Sequence, residues 1–535
     1  MAERVIAYDV GTTGMKTCIF EISDTIKLIA SAMEGYELFV TGNGCAEQEP
    51  YSWWNAMCST TKKVLEENNI SADSIQGISF CSQMQGLVLV DREGRPVRRA
   101  MSYMDQRAKD ELKRGMSYGL QISGANIFKL LKSLIITGAV AASVKDPVWK
   151  YKWVERNEPE VYKKVYKWLD VKEFLICRCT GEFVMTHDSA YAALLYDTRK
   201  GKEGFSREIC SMLGINMEHL PPIIHSSDIA GRITKEAAAQ LHLKEGTPVF
   251  GGGGDASLIG IGAGAVEPGD THIYSGTSGW VSTVVKKQIV DVTSMIAAIV
   301  GADFNSFNYF AELETAGKCL EWVKDHLALD EIDIYLEKIN VTDSQETLYK
   351  SLYDYMIHAI KNVAPGSNGV IFTPWLHGNR CPFEDANARG MFFNISLETG
   401  KTELIHAVLE GICYHLRWQL EAQERKVKTS RVIRFVGGGA LAPLTCQMLS
   451  DMLGREIETV DNPQNIGAVG AALVAAVGLG IVSKVGEAKK LIKVSNRFIP
   501  DMRNKAVYDH YFEVFKALYK CNRKNFSALN ESMLF

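Results

Sequence analysis

One arrangement occurs twice in this chain and narrows the folds open to it. Val5-Ile6-Ala7-Tyr8 leads into Asp9-Val10-Gly11-Thr12-Thr13-Gly14, and apolar alternation resumes from Met15 to Glu21. Thr271 to Tyr274 leads into Ser275-Gly276-Thr277-Ser278-Gly279, and Trp280 to Val285 follows. Both read as strand, tight turn, strand. The first copy opens the chain. The second follows a change of composition, where Gly246-Thr247-Pro248-Val249-Phe250 runs into Gly251 to Gly254 and then Asp255. The repeat predicts two related domains with a boundary near residue 250. Length agrees, since 535 residues exceed what one ordinary core fills. Helical apolar spacing from Trp53 to Asn68, Lys152 to Glu155 and Val161 to Thr180 makes the predicted class α/β. From about Ala488 the chain becomes lysine-rich and helix-like to its end.

Charge and cysteine usage exclude several function classes. The net charge of -4 provides no basic field for nucleic acid or an acidic membrane, so a small-molecule partner is expected. The 12 cysteines include no CxxC pair, which fits reduced thiols in a cytoplasm rather than a disulfide framework. Glu3 and Arg4, followed by a short apolar run ending at Asp9, do not make a signal peptide. Ile466 to Val482 contains only Ala, Val, Ile, Leu and Gly. Its glycines at 467, 470, 478 and 480 predict a helix buried against a sheet, ended by Gly478 and Gly480, rather than a membrane span. The 11 histidines show no HExxH or HxxxH spacing and suggest no protein-built metal site. His406 and His415 are expected to pack inside an apolar helix, and Trp53-Trp54 inside the core.

Four groups of residues can carry chemistry. The two turns come first. Gly11 and Gly14, then Gly276 and Gly279, let backbone N–H groups approach an anion closely, and Thr12, Thr13 and Thr277 add hydroxyls. Read singly, either turn is also an ordinary hairpin. Neither is a GxxxxGK[ST] or GxGxxG loop. Asp9 precedes the first turn and is placed to organise Mg²⁺ through water. The second group is Asp255, a carboxylate directly after a strand and four glycines, suited to accept a hydroxyl proton. The third is Gly437-Gly438-Gly439-Ala440, between a strand and a helix, which offers either a flat floor for a nucleotide ring or close helix–strand packing. The fourth is Gln83-Met84-Gln85-Gly86 with Asp105-Gln106-Arg107, at strand ends. These suit a polyol, or form a loop and an ion pair.

In order along the chain these motifs resemble one family, the FGGY carbohydrate kinases of the actin and hexokinase superfamily. The matching segments are DVGTTG (9–14), SQMQG (82–86), MDQRA (104–108), KYKWVERNEPEVY (150–162) and GGGGDAS (251–257). They continue with SGTSG (275–279), ETAGKCLEW (314–322), GNRCPFEDANARGMFF (378–393), HAVLEGICYHLR (406–417) and IRFVGGGALAPL (433–444). The resemblance implies two ribonuclease-H-like domains with a cleft between them. Residues 1–250 would hold sugar and the first phosphate loop, 251–487 the catalytic acid and ATP, and 488–535 a helical tail. It implies Asp255 as catalytic base and sugar contact, and Asp9 as the acid that organises Mg²⁺. Thr12, Thr13, Gly276 and Thr277 would contact phosphate. Gly317, Glu321, Gly438, Gly439 and Ala440 would line the nucleotide. Met84, Gln85, Asp105 and Arg107 would face the sugar. ATP and Mg²⁺ are the implied cosubstrate and cofactor, and a homodimer is compatible with the resemblance.

Within the family the chain is most similar to the xylulokinases, so D-xylulose is the expected acceptor. Three positions depart from their pattern: Gln85 stands where His is usual, Ala256 where Asn or another polar residue is usual, and Asn394 where Gly is usual. Another ketose, a polyol or gluconate therefore stays open as the acceptor. A non-catalytic sugar or nucleotide sensor and an actin-like ATPase are the alternatives of a different class.

Overall fold

A computed structural model describes residues 3–122, 125–303, 305–327 and 352–530. The first sheet contains β1 (Glu3–Val10), β2 (Gly14–Ile22), β3 (Ile26–Gly35), β4 (Ile75–Ser82), β5 (Ile229–Arg232), β6 (Pro248–Phe250) and β7 (Gly253–Gly254). Its order is β5-β6-β4-β1-β2-β3, with β7 paired to β4. Strand pairing thus carries this sheet to Gly254, past residue 250. The second sheet contains β8 (Thr271–Ser275), β9 (Gly279–Val285), β10 (Val290–Asp291), β11 (Ile296–Val300), β12 (Phe307–Leu313), β13 (Val432–Val436), β14 (Glu456–Val460) and β15 (Val494–Phe498). Its order is β10-β11-β12-β9-β8-β13-β14-β15.

The two sheets repeat one plan. The steps β1–β2 and β2–β3 are antiparallel, as are β8–β9 and β9–β12. β1 runs parallel to β4, and β8 to β13. β4 runs parallel to β6, and β13 to β14. Each series ends on an antiparallel strand, β5 or β15. Each Gly/Thr turn therefore joins the first two strands of its sheet.

The helices that matter for the site are α1 (Pro50–Glu67), α2 (Pro147–Asn157), α3 (Val171–Thr180), α4 (Asp255–Ala263), α5 (Gly317–Leu327), α6 (Lys401–Glu424), α7 (Pro443–Leu453), α8 (Ile466–Gly478) and α9 (Met502–Asn530). β1 shows how the sequence sets the layers. Its side chains alternate faces. Ile6, Tyr8 and Val10 pack with Trp53 and Met57 of α1, whereas Val5 and Ala7 pack with Leu258 of α4 and Ala471 of α8. An apolar residue at every position is what a strand covered on both faces requires. α4 and α8 lie between the two sheets, and their shared core also takes Trp280, Val436 and Val460 from the second sheet. At their crossing, backbone meets backbone. A Cβ on Gly262 would lie 2.2 Å from the Ile466 carbonyl oxygen, and one on Gly470 would lie 2.1 Å from that of Leu258.

Two local readings change. Residues 161–180 are not one helical run. Lys167–Leu169 is a strand paired with Val88–Val90, and α3 begins only after the Asp170 cap. Adjacent buried Trp168 and Leu169 satisfy a short strand enclosed on both sides as readily as a helix. The segment from 488 is not wholly helical either. β15 pairs with β14 before α9 begins. α9 packs Tyr508, Phe512, Phe515, Leu518, Tyr519 and Phe526 into the second domain's core. Residues 531–535 of the expected tail, and Met1 and Ala2, lie outside the described residues. As expected, α8 is buried from Ile466 to Ala476, and no helix among the described residues is long and apolar enough to cross a membrane. All cysteines are free thiols. His406 bonds Ser367, and His415 lies between the indole N–H of Trp375 and the Cys381 carbonyl.

Candidate active site

Each turn is shaped by ties on its carbonyls. In the first, Tyr36 Oη donates to the Gly11 and Gly14 carbonyls at 2.6 and 3.0 Å. Gln48 Nε2 donates to the Thr12 carbonyl at 2.8 Å, and the Tyr36 amide donates to that of Thr13 at 3.0 Å. In a trans peptide the C=O and the following N–H point oppositely. Holding the carbonyls of Gly11 and Thr12 toward the protein therefore turns the amides of Thr12 and Thr13 the other way. The second turn repeats the device. The Gly317 amide donates to the Gly276 carbonyl at 2.8 Å, and the amides of Ala316 and Lys318 donate to that of Thr277 at 3.1 and 3.2 Å. The amides of Thr277 and Ser278 face away from α5 in consequence.

Glycines bring the second-domain residues together. A Cβ on Gly317 would lie 2.5 Å from the Gly276 carbonyl oxygen. Gly437, at φ +91°, would carry its Cβ 2.5 Å from the Ser275 oxygen, and Gly439 would meet the Ser275 side chain at 2.8 Å. No atom lies within 4 Å of where a Cβ on Gly438 would sit, so that residue fronts open space. Thus Gly276, Thr277, Gly317, Gly438 and Gly439 surround one region, with Ala440 buried behind it. Glu321 lies one turn along α5, half exposed and 3.9 Å from Lys318.

The two acids meet where α4 and α8 begin. Asp255 is the first residue of α4, partly exposed, and its Oδ1 accepts from the Ala256 amide at 2.8 Å. Burial pushes its pKa up to about 7, and the charges of Asp9 and Glu312 add to the shift. Asp9 ends near α8, where a Cβ on Gly467 would lie 3.2 Å from its Oδ2. Burial raises the Asp9 pKa, opposed by the charge of Lys16. Tyr274 links these acids to the second turn. A Cβ on Gly276 would lie 2.1 Å from its hydroxyl, and Asp9 and Asp255 both add to the upward shift that burial gives its pKa.

The strand-end residues divide. Met84 belongs with the acids, because a Cβ on Gly254 would lie 2.1 Å from its sulfur. Gln85 takes a left-handed backbone, φ +63°, and its Nε2 is 3.4 Å from the Ala192 carbonyl. Asp105 and Arg107 form the ion pair, buried rather than on the surface. Arg107 Nη2 is 2.7 Å from Asp105 Oδ2, which also accepts from the Ala46 amide at 2.8 Å. Arg107 in addition pairs with Glu47 and stacks on Trp153.

Sequence reasoning missed most of the supporting contacts. Gln83 donates to Gln48, joining the 83–86 loop to the first turn. Asp188 accepts from the Gly254 amide at 2.8 Å, directly before Asp255. Thr186 donates to Asp188, and buried Lys172 donates to Thr186 and Ser189. Thr12 Oγ1 donates to Tyr103 at 3.3 Å. Arg380 pairs with Glu312 at 2.8 Å and also with Glu314. Of these, Thr12, Gln83, Glu314 and Arg380 fell inside quoted motifs, which did not show these contacts, and Gln48, Tyr103, Lys172, Thr186, Asp188 and Glu312 lay outside every motif.

Comparison with known proteins gives the same two-domain plan. The N-terminal domain of the FGGY family of carbohydrate kinases matches residues 4–262, and its C-terminal domain matches residues 272–479. A xylulose kinase of Bacillus subtilis (strain 168) is 28% identical over 517 residues, 96% of this chain and 96% of that protein. A gluconokinase of the same strain is 24% identical over 503 residues, 94% of this chain and 92% of its own length. The crystal structure of a ligand-bound xylulose kinase from Lactobacillus acidophilus superposes with a TM-score of 0.83 at 23% identity, covering 98% of this chain and 100% of that one. With both sheets, both turns and both domain matches in one order, the chain belongs to the FGGY family of carbohydrate kinases, and its activity is that of an ATP-dependent sugar kinase.

Proposed function

We propose that the chain phosphorylates D-xylulose to D-xylulose 5-phosphate, with Asp255 as the base. The observation that carries the assignment of the base is Asp255 at the head of α4, reached by Met84 across Gly254 and with a pKa near 7. Asp255 takes the proton of the acceptor hydroxyl as that oxygen bonds to the γ-phosphorus and the bond to the β-bridging oxygen breaks. The outward amides of Thr12, Thr13 and Thr277 receive charge on the transferring group. Gly438 and Gly439 give the adenosine a floor without side chains.

The donor set fits Mg²⁺. Asp9 and Asp255 are hard carboxylates, with Lys16 as the cation that offsets Asp9. Among the described residues no group of three His, Cys, Asp or Glu gathers to hold a metal. Asp9 would therefore hold the ion through water and phosphate oxygens, as Mg²⁺ prefers. When bound, the ion neutralises charge on the β- and γ-phosphate oxygens. Asp9→Ala should raise the Mg-ATP KM by about 10-fold or more while the sugar KM stays within about twofold, since the contact assigned to Asp9 is to the metal and not to the sugar. Equal rises in both would refute that role.

Gluconate is the rival acceptor, because gluconokinases are also among the relatives. Against it, Arg380 is already committed to Glu312 and Glu314, and Asp9 and Asp255 add negative charge. A neutral ketose meets less repulsion there than a sugar acid. An ADP-release assay over pentuloses, polyols and gluconate tests this. D-xylulose should give the highest kcat/KM; higher kcat/KM for gluconate overturns the assignment.

A further inference from the structure

Lys150 and Asp170 lie outside every role assigned above, and both are buried, at 0% and 5% exposure. Lys150, on α2, donates from Nζ to the Gln85 carbonyl at 2.9 Å and to the Ser102 carbonyl at 2.7 Å. Asp170, the cap of α3, accepts from the Gly86 amide at 2.9 Å and from the Val171 amide at 2.8 Å. The first of each pair are the two polar groups of one peptide bond, between Gln85 and Gly86. We propose that Lys150 and Asp170 are positioning residues for the acceptor: gripping that peptide from both sides, they fix the direction in which the Gln85 side chain meets the sugar.

A peptide plane held at both its oxygen and its hydrogen cannot rotate, so the backbone torsions on either side of it are set. This plane needs holding. Gln85 sits at φ +63°, a region that a non-glycine residue occupies only when its surroundings impose it. The ammonium makes charge-assisted hydrogen bonds, stronger than neutral ones. Burial raises the Asp170 pKa, and its side chain accepts from the Gly86 amide in either protonation state. Both residues are carried on or at the ends of helices packed into the first domain. The Ser102 contact ties the same grip to the loop that presents Tyr103 toward Thr12. Burial lowers the Lys150 pKa to about 8, a shift that nearby Asp105, Asp170 and Asp146 partly offset. Gly86 belongs to the grip as well, because a Cβ there would lie 2.7 Å from Asp170 Oδ1.

The inference rests on the reading of Gln85 as a sugar contact, and the experiment separates the two. Three purified variants are compared with wild type for sugar KM and ATP KM: Gln85→Ala, Lys150→Met and Gly86→Ala. Lys150→Met keeps the side chain out to its ε atom and removes the donors. Gly86→Ala disturbs Asp170 from the other side and serves if the first variant does not fold. Both are expected to raise the sugar KM by about 10- to 100-fold, the effect of misplacing one group by a fraction of an ångström, with the ATP KM within about twofold. A merely structural role would lower the melting temperature and the active fraction without splitting the two KM values. If Gln85→Ala raises the sugar KM and neither grip variant does, the grip is overturned while the sugar reading stands. If Gln85→Ala leaves the sugar KM unchanged, the reading of Gln85 falls, and the inference with it.

Discussion

Asp255→Asn is expected to lower kcat by roughly 10²–10⁴, the range set by losing a general base, while binding of ATP and sugar is retained. The amide keeps the size of the carboxylate and cannot take the proton. The pH dependence follows from the raised pKa of about 7. In wild type the base is protonated and idle below that value, so kcat/KM should climb between about pH 6 and pH 8 and level off above. The variant should lack this inflection. Stability should move the other way. Between the unfolded carboxylate range near pH 4 and about pH 7, the folded chain keeps a proton that the unfolded chain has lost, so folding loses stability as pH rises through that window. Asn carries no such penalty. Asp255→Asn should therefore melt higher than wild type at pH 8, with the gap shrinking toward pH 5. A variant with wild-type turnover, or no more stable at pH 8, would remove Asp255 from the role of a carboxylate held against its own charge.

Gly470→Val should be the most damaging single change outside the residues assigned to the chemistry. Its Cβ would lie 2.1 Å from the Leu258 carbonyl oxygen, backbone that has no rotamer to give way. Relief requires α8 to move off α4. Overpacking a buried site costs about 1–3 kcal/mol where side chains can adjust, so a backbone clash should reach about 3 kcal/mol or more. Thermal or denaturant unfolding measures it directly. A melting point within error of wild type would mean that the two helices do not cross on their glycines.

The two turns, the two acids and the α8 helix were legible because each is local: glycine, threonine and aspartate in a short run, or an unbroken apolar stretch. The sheet symmetry was legible only at the turns, since the strands completing each sheet arrive after helical insertions of different length. The strand at Lys167–Leu169 was hidden because two adjacent apolar residues carry no period. Asp105 and Arg107 displayed the right groups for a polyol, yet sequence alone could not say that they face each other. Lys150 opened a quoted motif without any role being read from it, and Asp170 and Asp188 gave no signal. Their partners lie far along the chain, as with Lys150 and the Gln85 carbonyl, 65 residues apart. A buried lysine reads in sequence like any solvated one.

The core around α4 and α8 has a further consequence. Val5, Ala7 and Phe20 of the first sheet, Leu258 of α4, Leu473 of α8, and Val436 and Val460 of the second sheet belong to one packed cluster. Each half also has a core of its own, but this third cluster belongs to both. Separating them would expose one face of each sheet to water, at about 25 cal/mol for every Å² of apolar surface. The halves are two in geometry and coupled in stability: whatever loosens this shared cluster costs both.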